Sequence, residues 1–124
     1  MLVRTKQEFL TIFEDCFSFL EKQSFPIGKL NGNIHFVKGS RYFGICRRNK
    51  DNTFTIGFNE EFALKGSLGG LKSTILHELI HTFPLCYNHG KEFQYYAKKI
   101  SALSGIEIKT KGGNKTKEDS KLLR

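Results

Sequence analysis

Between His77 and His89 the chain reads HELIHTFPLCYNH, a stretch that holds three of its four histidines. Its first five residues, His77-Glu78-Leu79-Ile80-His81, set two imidazoles four positions apart with a carboxylate beside the first. On a helix, such residues lie about 40° apart around the axis and about 6 Å along it, so both rings can reach one cation. Each ring nitrogen would sit about 2.0–2.1 Å from a zinc ion. Glu78 projects about 100° away from His77, so it flanks a metal instead of binding it. There it can take a proton from an attacking water and deliver it to a leaving amine. This HExxH spacing on a helix points to zinc-dependent hydrolysis of peptide bonds. His89 supplies a third ligand, and three protein ligands leave the open position that a catalytic zinc needs. Glu92, one turn further along, is the alternative third ligand.

The flanking sequence predicts elements that hold these groups. With Ile75 as origin of a helical wheel, Leu71, Leu76, Leu79, Ile80 and Phe83 fall between about −40° and 140°, and His77 and His81 at about 200–240°. One face therefore serves the core and another the metal. Pro84 stops this helix. Leu85 to Asn88 turn the chain back, and Asn88 caps a last helix running from His89 to Ser104, with Phe93, Ala97, Ile100 and Leu103 inward and Gly105 at its end. Upstream, Thr5 to Glu8 form a capping box, and Phe9, Ile12, Phe13, Cys16, Phe17 and Leu20 make an apolar stripe. Strands are expected at Ile34–Lys38, Tyr42–Arg48 and Thr53–Phe58, with a hairpin turn at Asn49–Asn52. Asn59 caps a short helix through Leu64, and Gly66 to Gly70 break the chain before the HExxH helix. The expected class is α+β: an N-terminal helix, a small three-stranded antiparallel sheet, the HExxH helix and a C-terminal helix. A strand beside the metal helix would present its edge to an extended peptide.

A chain of 124 residues supports a single core. Residues 1–108 read as that domain. Residues 109–124 read as a flexible basic tail, whose six basic and two acidic residues give +4 of the formal +8. A surplus of this size fits DNA or another polyanion as partner, and serves solubility equally well. Arg41, Tyr42, Phe43, Arg47, Arg48 and Lys50 form a second basic and aromatic cluster, parts of which belong to the core of a hairpin. Cys16, Cys46 and Cys86 form no C-x-x-C pair, so no zinc ribbon can be built, and reduced thiols suit a cytoplasmic location. Cys16 lies on the apolar stripe. Cys86 falls between the ligand-bearing segments, within reach of the metal or in the core. The N-terminus has neither a signal peptide nor a membrane span.

His77-Glu78-Leu79-Ile80-His81 followed by His89-Gly90-Lys91-Glu92-Phe93 resembles the HExxH…HGxxF pattern of the SprT-like (Spartan-type) zinc metallopeptidases. The likeness extends to Gly44-Ile45-Cys46, to Thr53–Phe58 and to Ser104-Gly105-Ile106-Glu107-Ile108. It implies zinc on His77, His81 and His89, Glu78 as catalytic acid/base, and a minimal zincin-like core. It also implies protein substrates, among them proteins crosslinked to DNA. Many relatives continue into a cysteine zinc ribbon, where this sequence has its basic tail. Pro84 stands where metzincins need a glycine. The residues leave a second reading, a non-catalytic zinc-stabilised nucleic-acid-binding or adaptor module, which has no use for Glu78. The oxyanion donor is unassigned among Tyr42, Tyr87, Tyr95 and Tyr96.

Overall fold

The computed structural model describes residues 3–109. The described chain runs α1 (Lys6–Lys22), β1 (His35–Val37), β2 (Gly44–Arg48), β3 (Phe54–Asn59), α2 (Glu60–Lys65), α3 (Leu68–Ile80) and α4 (Lys91–Ser104). The α+β class holds. Apart from Lys109, the segment expected to be a tail lies outside the described residues.

Helix α1 begins as its sequence dictates. Thr5 Oγ1 accepts from the Glu8 amide at 3.0 Å, and the Glu8 carboxylate accepts from the Thr5 amide at 2.7 Å. Phe9, Phe13, Cys16 and Leu20 are buried along one stripe. Phe9 meets Phe58 of β3 with ring centroids 5.0 Å apart.

The sheet corrects the expectation of antiparallel pairing throughout. Its order is β1-β3-β2, with β2 antiparallel and β1 parallel to β3. The reason lies in β3, where every residue but Thr55 is buried. A strand enclosed on both faces takes the centre of a sheet, so the three-residue β1 pairs with its far edge instead of with β2. The β2–β3 turn falls where expected, with the Asn49 amide donating to Thr53 O at 2.8 Å.

Helix boundaries also shift, and α3 ends at Ile80 with His81 as its C-cap residue, ahead of the Pro84 expected to stop it. Gly66 to Gly70 are not a continuous break: Ser67 Oγ accepts from the Gly70 amide at 3.1 Å, and this cap starts α3 at Leu68 despite two glycines in its first turn. Helix α4 starts at Lys91, not His89, with Gly90 as its cap residue. The Asn88 side chain accepts from the Gly90 amide at 3.0 Å, closing a tight turn before the helix instead of capping it. Leu103 is half exposed, contrary to its expected inward position. Helix α3 is the centre of the molecule, packed against α1, β2 and α4.

Candidate metal centre

Helix α3 carries His77 and Glu78, His81 is the residue that caps its C-terminal end, and the loop before α4 carries His89. The three rings converge. His77 Nε2 lies 3.1 Å from His89 Nε2 and 3.1 Å from His81 Nε2. One ligand atom from each histidine lies within 4.8 Å of the others.

His77 and His81 are only 2% and 7% exposed, so their ring nitrogens must find partners inside the protein. His77 Nδ1 lies 2.7 Å from the Lys109 carbonyl, and His81 Nδ1 lies 3.0 Å from the Cys86 carbonyl. A carbonyl can only accept, so each Nδ1 carries the hydrogen and each neutral ring is left with a bare lone pair on Nε2. Two bare lone pairs 3.1 Å apart repel, and a shared cation turns that repulsion into coordination. Tetrahedral bonds of about 2.0–2.1 Å would set ligand nitrogens about 3.3–3.4 Å apart, close to this spacing. These residues fit a metal ion, and the carbonyl partners are the support that metal-ligating histidines generally have. Burial, with the neighbouring rings adding to it, pushes His77 down to about 3, and burial pushes His81 down to about 4. Burial lowers His89 as well. Neutral rings are the form a metal binds.

The turn that delivers the Cys86 carbonyl is built on Pro84 and Leu85. Leu85 holds φ at 64°, and the Cys86 amide donates to Phe83 O at 3.1 Å. A bulky residue in this left-handed conformation costs about 1 kcal/mol or more.

Glu78 is buried, and burial pushes its carboxyl up to about 8. A nearby cation would favour its ionised form. It can sit there because β2 presents a glycine. A Cβ on Gly44 would lie 2.8 Å from Glu78 Cγ and 2.9 Å from Oε2. Beneath the triad, the Phe93 ring centroid lies 4.8, 4.7 and 5.0 Å from those of His77, His81 and His89.

Above the triad opens a cleft of about 300 Å³, bordered by Tyr42, Gly44, Cys46 and Tyr87. The Asn49 and Asn59 amides donate across the sheet to Thr53 and Phe43. By antiparallel alternation, Gly44, Cys46 and Arg48 turn their backbone groups to the outer edge of β2. At one end that edge is capped, since the Arg48 amide donates to the Tyr87 hydroxyl at 3.2 Å. Of the tyrosines considered as oxyanion donors, Tyr42 and Tyr87 border the cleft. Tyr95 is exposed on α4 and Tyr96 packs on Phe25 and Phe83.

Of the sequence-derived site residues, His77, Glu78, His81 and His89 come together here. The alternative ligand Glu92 is exposed on α4 and outside the three-histidine cluster. Cys86 contributes its carbonyl to the site, and its side chain is buried. The roles of Gly44 and of the Lys109 carbonyl are not legible in the sequence, because neither residue type carries a signal for them.

Comparison with curated proteins and with solved structures gives no match. A model of the SprT-like family matches residues 13–112, a span containing the three histidines, Glu78 and Gly44. On that match, covering most of its length, the chain belongs to the SprT-like family.

Proposed function

We propose that the protein is a zinc-dependent endopeptidase with a minimal zincin-like core. His77, His81 and His89 would hold the metal, and Glu78 would move the protons. The observation that carries this reading is a buried carboxylate beside three converged, neutral imidazoles, under a cleft bordered by the outer edge of β2. Zinc bound there would polarise the scissile carbonyl and bring the pKa of a water towards about 7. A Glu78 carboxylate oxygen accepts the proton of the attacking water and passes it to the leaving amine nitrogen. Gly44 gives that carboxylate room, and the Lys109 and Cys86 carbonyls hold two of the rings in the ligating tautomer.

The outward backbone groups of Gly44 and Cys46 suit an extended peptide added to β2 beside the metal. Arg41, Arg47, Arg48 and Lys50 are exposed around that strand, which favours substrates associated with DNA. Cys16, Cys46 and Cys86 are free thiols. Among the described residues, no helix is long and apolar enough to cross a membrane.

The test is paired. Zinc content and cleavage of a flexible protein are measured with and without single-stranded DNA, for wild type and Glu78→Gln. The expected result is that both bind zinc and only wild type cleaves. Zinc binding without cleavage under either condition would instead favour the adaptor reading.

A further inference from the structure

The two buried ligands are supported in different ways. His81 meets the Cys86 carbonyl five residues on, within the turn that follows α3. His77 meets the Lys109 carbonyl, 32 residues on. That carbonyl reaches the site because the chain leaves α4 at Gly105, with φ of 75°, and doubles back along α3. Three hydrogen bonds fix the returning segment: the Ile106 amide to Ser104 Oγ at 3.1 Å, Ser73 Oγ to the Glu107 carbonyl at 2.7 Å, and the Ile108 amide to Ser101 Oγ at 3.2 Å. The Ile108 side chain is buried in the core. Ser73 and His77 stand one turn apart on α3, so the segment tracks the helix and ends on the ligand.

We infer that residues 106–109 form a strap that positions His77, its Lys109 carbonyl setting the ring's tautomer and orientation for the metal. The inference rests on the metal-centre reading above and adds to it that the Lys109 carbonyl is held in place by the anchors of the returning segment. The HExxH helix alone does not present a finished pair of ligands. Its first histidine is completed from beyond the last helix. A carbonyl acts here through the backbone, so no Lys109 side-chain substitution removes it, and the strap has to be loosened at its anchors. Ser73 and Ser101 serve for this, since neither borders the cleft.

The experiment uses the full chain and zinc alone as probe. The Ser73→Ala/Ser101→Ala double variant should bind zinc about 10-fold to 100-fold more weakly than wild type, the loss typical of an outer-shell partner. Thr5→Ala weakens α1 away from the strap and should leave zinc affinity unchanged. Ring ¹⁵N spectra of zinc-loaded wild type should show the His77 proton on Nδ1, slow to exchange, with faster exchange in the double variant. Wild type that takes up no zinc would defeat the metal-centre reading itself. Zinc-binding wild type with a double variant within about twofold of it would overturn only the strap. Equal weakening by Thr5→Ala would also overturn the strap, because loss of stability would then explain the effect. Should the double variant fail to fold, the wild-type spectrum decides: a His77 proton on Nε2 contradicts the strap.

Discussion

Helices α1 and α3 each turn an apolar stripe to the same core, but they dispose of the opposite face differently. In α1 the residues off the stripe are mostly in water, where Glu14, Asp15 and Glu21 need no protein partner. In α3 every residue from Thr74 to Ile80 is buried, His77 and Glu78 included. Strand β2 covers that side, admitted by Gly44. Buried polar groups must be satisfied. The histidines meet carbonyls with one nitrogen and converge with the other, and the rise of Glu78 has burial as its only cause. Enclosing the polar face of α3 gives it buried, pKa-shifted side chains that the open face of α1 lacks. The same histidines on a face like that of α1 would be ordinary solvated side chains.

The enclosed face of α3 is most sensitive at Glu78. Glu78→Gln should keep zinc and lower peptide hydrolysis by about 10²–10⁴-fold, read by single-turnover cleavage of a fluorogenic peptide. The next largest effect is at the covering strand. Gly44→Ala should force Glu78 or β2 to move, costing about 1–3 kcal/mol in denaturant unfolding and lowering turnover. Lys22→Ala, on the exposed end of α1, should be tolerated by both measures.

Without metal, the buried face of α3 should give stability a pH optimum. His77 and His81 stand at about 3 and 4 against an ordinary 6.5, so the unfolded chain binds more protons between those limits. Their contribution is lost as pH falls through that window. Glu78 stands at about 8 against an ordinary 4.5, so the folded chain holds the extra proton and its contribution is lost as pH rises from 4.5 to 8. Two histidines outweigh one glutamate below 6.5, so thermal melts of the chelated protein should peak near that pH. Glu78→Gln should remove the alkaline decline. The smallest effect belongs to α1: Thr5→Ala should cost about 1 kcal/mol through its cap and leave zinc affinity alone.

Local signals were legible in the sequence. The Thr5 box, the α1 stripe, the i, i+4 histidines and the return at His89 each depend on residues close together in the chain. Sheet order was not, because β3 takes the centre through burial by distant elements, and a hairpin pattern does not say which strand fills its other edge. The wheel placed His77 and His81 off the apolar arc correctly but gave no sign that their side is also enclosed, since Gly44 carries no side chain to read. The Lys109 carbonyl was invisible for a stronger reason. A backbone acceptor has no sequence signature, and its residue opens a stretch whose composition reads as tail.

A site of three histidines would be open at its fourth position, unlike a closed structural one. Zinc K-edge X-ray absorption of the loaded protein tests it directly. Three imidazole ligands and one further light atom are expected at about 2.0–2.1 Å. A sulfur scatterer at about 2.3 Å, bringing in Cys46 or Cys86 as a fourth protein ligand, would contradict it.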